Sequence, residues 1–164
     1  MNTDLWNFAL ALYARPGVEA TCLALQEEGA NICLLLCAAW LDQRAVEYSH
    51  ERRGQLSRTA WYWNEEVVVP LRQLRQQWRD EAQLDSALAA LRTEVTRLEL
   101  EAERELLTRL EAVSSGWPTG QKPSATGWLP ILLPYTSTND LSHHALRTLR
   151  TATEAMTQEA EDGL

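Results

Sequence analysis

Residues 5–41 read LWNFALALYARPGVEATCLALQEEGANICLLLCAAWL, and this stretch decides the fold. It is dense in apolar side chains yet punctuated twice, at Arg15-Pro16-Gly17 and at Glu28-Gly29-Ala30-Asn31. Proline and glycine are the strongest local breakers, so the block predicts three short helices folded back on one another. The first starts near Thr3 or Asp4, either of which can cap free backbone N–H groups, and runs to about Ala14. Its stripe is Leu5, Phe8, Ala9, Leu12 and Tyr13, at three- and four-residue steps. Val18, Cys22, Leu23 and Leu25 mark the second, which Gly29 ends from the C′ position. Asn31 caps the third, Ile32 to about Arg44, whose apolar surface all round places it in the middle of a bundle.

Outward from this block the pattern stays helical. Ala45 to Gly54 is polar and predicts a connection, with Ser57 as the N-cap of a long fourth helix. Ala60, Trp63, Val67, Leu71, Leu74 and Trp78 carry its period, and Pro70 should kink it or divide it after Val69. A fifth helix spans about Leu84 to Val113, with an apolar seam of Leu84, Leu88, Leu91, Val95, Leu98, Ala102, Leu106, Leu110 and Val113. Glu94, Glu99, Glu101, Glu103 and Glu105 predict a solvated reverse face. Ser114 to Asn139 holds four of the six prolines, with apolar anchors at Trp117 and along Trp128-Leu129-Pro130-Ile131-Leu132-Leu133-Pro134-Tyr135. That composition predicts a long irregular linker. A last amphipathic helix, about Asp140 to Glu161, shows Leu141, Ala145, Leu149, Ala152 and Met156 on one side.

The expected fold is all-α, an irregular bundle of five to six helices. Three short N-terminal helices pack on a long antiparallel hairpin. The organisation is a helical core over 1–113, a linker over 114–139 and a C-terminal helix and tail over 140–164. The 164 residues suit one domain and can bury a sizeable core.

Composition narrows the function classes. A net charge of −8 argues against a nucleic-acid partner, which normally needs a basic face. The longest apolar run, Ile32 to Leu41, falls well short of the ~20 residues that span a bilayer. The opening MNTDLW lacks a basic n-region and a small-residue cleavage site, so no signal peptide is expected. Three cysteines, an odd count, point to a reducing compartment. A soluble cytoplasmic protein with no membrane association is expected.

The order Leu5-Trp6, Phe8-Ala9, Leu12-Tyr13, Pro16-Gly17-Val18-Glu19, Cys22-Leu23, Leu25-Gln26, Gly29, Asn31, Leu34-Leu35, followed by Val68-Val69-Pro70-Leu71-Arg72 and Leu74-Arg75, carries a resemblance. It resembles an uncharacterised, mainly proteobacterial family known as a conserved domain of unknown function, over roughly residues 5 to 110. The resemblance implies a small α-helical cytoplasmic protein and brings no activity, cofactor or catalytic residue.

Cys33 and Cys37 lie one turn apart with Cys22 nearby, but their aliphatic neighbours favour buried packing over a thiolate metal site. His50, His143 and His144 match no ligand or catalytic spacing and are expected on the surface. Arg72, Arg75 and Arg79 form one basic stripe. It suits either an anion or acidic partner, or ion pairs with glutamates of the fifth helix. Glu19, Gln26 and Asn31 are polar residues embedded in the apolar opening block, and either line a small pocket or cap helix ends.

The binding candidates are therefore Arg72, Arg75, Arg79, Glu19, Gln26 and Asn31, with no catalytic residue, metal or cofactor assigned. The leading expectation is a non-enzymatic interaction or adaptor protein with a protein partner, and a homodimer through the hairpin. The alternative is a protein binding a lipid- or isoprenoid-like ligand, or a minor enzyme, with a pocket between the N-terminal helices and the hairpin.

Overall fold

The computed structural model describes residues 4–121, 127–133 and 139–163, and among these there are helices and no strand. Thr3, Pro134 and Tyr135, named above as a cap and anchors, lie outside the described residues. Asp4 caps α1 (Leu5–Tyr13), accepting from Asn7 N at 2.8 Å. The chain turns through 101° at Pro16-Gly17 into α2 (Val18–Glu27). Gly29 follows α2 with φ 92°, a left-handed conformation that glycine adopts without a Cβ clash. Asn31 caps α3 (Ile32–Gln43) by accepting from Leu34 N at 3.2 Å.

Every side chain from Leu35 to Leu41 is buried, as the all-round apolar pattern of α3 requires. Around this central helix pack α1, α2, α4, α6, α7 and α8. No described helix is long and apolar enough to cross a bilayer.

The polar run after α3 is a connection only over residues 45–49, shorter than its composition suggested. α4 (His50–Trp63) begins eight residues before the expected start, with Ser49 rather than Ser57 as N-cap, accepting from Arg52 N at 3.2 Å. Arg52, Arg53 and Gly54 lie in its first turns, where the helix is mostly solvated and tolerates polar residues.

Pro70 does not end the helical run, which is continuous from His50 to Gln77. Residues Asn64–Val68 widen into one π turn, which runs into α5 (Val69–Gln77). Val69 N–H donates five residues back, to the Asn64 carbonyl. Proline has no N–H to give, and its ring would crowd the carbonyl four residues earlier in a regular helix. The wider turn removes that conflict.

A 3₁₀ turn (Glu81–Gln83) leads to α6 (Ser86–Ser114), capped by Asp85. The helix runs back antiparallel to α4 and α5, as expected, and Val95, Ala102, Leu106 and Leu110 of the expected seam are buried, but its leucines toward the tip are not. Val95, Glu99, Ala102, Leu106, Leu107 and Leu110 are buried, whereas Leu84, Leu91 and Leu98 are exposed, Leu84 by 94%. Glu99, expected on the solvated face, is only 6% exposed. α5 packs on α6 and the π turn and contains no buried residue, so the tip of the hairpin is an arm extending past the core.

The C-terminal segments join the same core. Trp128 and Leu129, in the short helix α7 (Trp128–Leu132), are buried, and Trp128 Nε1 donates to the Val46 carbonyl at 2.9 Å. Trp117 stacks on Trp128 with ring centres 5.7 Å apart. Asp42, on α3, accepts from Trp128 N at 2.7 Å and Leu129 N at 3.0 Å and so caps α7. A Cβ at Gly127 would stand 2.6 Å from Asp42 Oδ1, so a larger residue there would displace the capping carboxylate. In α8 (Asn139–Asp162) the expected stripe is buried through Ala145, Leu149 and Ala152. Arg15 pairs with Glu159 across the surface between α8 and the α1–α2 turn.

Candidate binding groove

A groove of about 290 Å³ lies between the N-terminal helices and the hairpin. α1 supplies Trp6, Ala9, Leu10 and Tyr13, and α3 supplies Ile32, Cys33 and Leu36. The hairpin contributes Val68 from the π turn and Leu100 and Leu107 from α6. Leu10 and Leu100 are about half exposed, so the apolar surface continues to the mouth. Larger hollows, of about 720 Å³ beside α7 and α8 and about 510 Å³ beside Asp42, open more widely to solvent.

Besides Tyr13, the polar residues of the groove are Gln26, Asn31, Asn64, Arg72 and Glu103. Arg72 and Glu103 belong to a four-residue charge cluster between α5 and α6. Arg72 Nε donates to Glu99 Oε1 at 3.0 Å, and Arg72 Nη2 donates to Glu103 Oε1 at 3.1 Å. Arg75 reaches Glu99 twice, through Nε at 2.5 Å and Nη2 at 3.2 Å. The spacing explains the match: arginines three apart on one helix face glutamates four apart on its antiparallel neighbour.

Burial pushes the Glu103 carboxyl above its ordinary range, the nearby Glu99 charge adds to this, and Arg72 opposes it. Tyr13 is pushed up to about 12, first by burial and then by Cys22, Glu19 and Glu103. The Cys33 thiol, in the groove wall, is raised mainly by burial, with its Sγ 3.7 Å from the Glu103 carbonyl oxygen. Cys37 is raised chiefly by burial too, and Cys22 to about 12. These thiols stay protonated at neutral pH and are poor nucleophiles. Among the described residues no three His, Cys, Asp or Glu side chains converge to hold a metal.

The structure divides the six sequence candidates. Arg72, Gln26 and Asn31 come together at the groove, where Asn31 also serves as the α3 cap. Arg75 stands behind it, committed to Glu99. Arg79 is exposed further along the arm, in a shallow hollow with Arg92 and Thr93. The basic stripe is thus broken, two of its members being neutralised within the chain. Glu19 is exposed in the first turn of α2 and does not line the groove, a position that favours the helix dipole. Sequence reasoning missed Glu103, Asn64, Trp6 and Tyr13 as groove residues, although the i, i+4 pair Glu99/Glu103 was a visible signal.

An all-α bundle with an apolar groove closed at one side by a charge-balanced cluster is the class of protein these features define. The chain belongs to the family described as protein of unknown function (DUF2390), whose model matches residues 4–110. Every groove residue falls inside that match, whereas α7 and α8 lie beyond it. None of the curated proteins and none of the solved structures matches the chain.

Proposed function

We propose that the protein binds a small, mainly apolar molecule in the groove between α1, α3 and the hairpin, and does so without catalysing a reaction. The carrying observation is the groove itself, whose apolar walls reach solvent and end at a buried ion-pair cluster. Pockets of this kind, mostly apolar with a few converging polar groups, are the usual form of small-molecule sites. Its volume is that of about ten waters. Binding is favoured over catalysis because the charged side chains neutralise one another in ion pairs and the thiols are held protonated. A bacterial, cytoplasmic setting fits three unpaired thiols of the kind that reducing compartments preserve.

The test is titration with N-phenyl-1-naphthylamine, a neutral fluorophore that brightens on leaving water. It should bind saturably, and Leu10→Glu and Leu100→Glu, which place charge at the exposed mouth, should each weaken binding at least tenfold. Equal binding by the wild type and both variants would remove this reading.

The arm supports a second reading, an interaction surface for a second copy of this chain. Leu84, Leu91 and Leu98 are exposed at seven-residue steps, beside charges of both signs in Glu94, Arg97 and Glu101. Such a stripe suits an antiparallel coiled-coil seam. Light scattering should give a dimer that Leu91→Glu with Leu98→Glu returns to monomer, and a wild-type monomer at high micromolar concentration would dismiss it.

A further inference from the structure

The charge cluster also specifies the head of the ligand. Arg72, Arg75, Glu99 and Glu103 sum to zero charge, and their bonds leave two atoms uncommitted, one on each of the two residues that line the groove. Arg72 donates through Nε and Nη2, and Glu103 accepts through Oε1, so Arg72 Nη1 and Glu103 Oε2 have no partner among the described residues. No described side-chain nitrogen or oxygen is both buried and unpartnered, so these two atoms meet solvent. Both residues line the groove. Two adjoining lining side chains thus carry one free donor and one free acceptor, with no net charge behind them.

We infer that the ligand is a neutral amphiphile of medium chain length whose head both accepts and donates a hydrogen bond, as a primary alcohol or primary amide does. The head would accept from Arg72 Nη1 and donate to Glu103 Oε2, while the chain lies along Leu36, Leu100 and Leu107. This rests on the groove being a ligand site, as proposed above.

The charged alternatives fail on the same geometry. A carboxylate could take the Arg72 donors but would bring a third anion against Glu103 and Glu99 in a partly desolvated place. An ammonium could reach Glu103 but would stand beside a guanidinium that already serves two carboxylates. Like charges at such separations, away from bulk water, disfavour binding strongly. The remaining polar lining, the Tyr13 hydroxyl and the amides of Gln26, Asn31 and Asn64, is uncharged at neutral pH. A neutral head loses less hydration on entry and leaves every ion pair intact.

The experiment uses four ten-carbon probes, 1-decanol, decanamide, decanoate and decylammonium, each titrated calorimetrically below its aggregation concentration at pH 7.5. Decanol and decanamide should bind at least tenfold more tightly than either ion. Glu103→Gln, checked by circular dichroism, turns the cluster net positive and should raise decanoate affinity at least tenfold relative to decanol. An ion that binds as tightly as the neutral probes overturns the head-group assignment while leaving the groove as a site. Unchanged selectivity in a folded Glu103→Gln protein also overturns it, and should that variant not fold, the wild-type ranking decides. No binding by any of the four overturns both the assignment and the groove reading.

Discussion

Truncating Glu99 to alanine isolates the interaction that fastens the hairpin. Glu99 is buried and takes three hydrogen bonds from two guanidinium groups, and its partners Arg72 and Arg75 are themselves only 15% and 26% exposed. Removing one member of a buried ion pair generally costs about 3–5 kcal/mol, because the partner is left charged and desolvated. Here Arg72 keeps Glu103 and Arg75 can turn partly to water, which places the expected loss near the lower end, about 3 kcal/mol. Urea unfolding followed by far-ultraviolet circular dichroism reads this directly. With an m-value of about 2 kcal/mol per molar, the midpoint should fall by roughly 1.5 M. A cycle with Arg75→Ala should show the two losses to be less than additive by more than about 1 kcal/mol. Sodium chloride at 1 M should leave the effect largely intact, since buried pairs are weakly screened. A loss under about 1 kcal/mol, or additive single losses, would refute a structural role for the cluster.

Four further outcomes are expected. Asp42→Ala removes the acceptor for both N-terminal N–H groups of α7 and should cost about 1–2 kcal/mol, with red-shifted tryptophan emission as Trp128 becomes hydrated. Gly127→Ala should destabilise by steric contact with Asp42, and less so in the Asp42→Ala background, as thermal unfolding would show. Because burial raises the folded-state Glu103 carboxyl above the ordinary value of 4.5, the folded chain holds that proton more tightly than the unfolded one. Its contribution to stability therefore declines as pH rises from about 4.5 through the folded value, and the stability of the wild type relative to Glu103→Gln should decline over that range. A relative stability that rises instead contradicts the sign. Ellman's reagent at pH 8 should find fewer than one reactive thiol per native chain and all three after unfolding in urea.

Local signals carried most of the fold. The Pro16-Gly17 and Gly29 breaks, the Asp4 and Asn31 caps and the all-round apolar α3 each follow from neighbouring residues, and each is where the sequence places it. The start of α4 was misread because Arg52-Arg53-Gly54 resembles a loop by composition, whereas the Ser49 side chain sets the boundary. The seam of α6 was read correctly at Val95, Ala102, Leu106 and Leu110 and misread toward the tip, for a geometric reason. Leucines at seven-residue steps drift by about 20° per heptad on a straight helix, and near the tip only α5 is present to cover them. Buried Glu99 was illegible because a carboxylate reads as solvated until its partners on another helix are known. Of the groove, Gln26, Asn31 and Arg72 were legible as polar residues in an apolar or paired context, but their convergence was not. The Asp42 cap on α7 spans 86 residues of sequence and has no local trace.

The single wide turn before Pro70 fixes a rotational phase. A π turn holds about one residue more than an α turn, and each residue of helix carries the following side chains round by about 100°. Deleting one residue between Asn64 and Val68 would leave the length of the arm almost unchanged. It would swing Arg72 and Arg75 a quarter turn or more away from Glu99 and Glu103. The extra residue thus acts as the key that sets which face of α5 meets α6. The same insertion that accommodates a proline also determines that the Arg72 guanidinium, rather than Gln73, borders the groove.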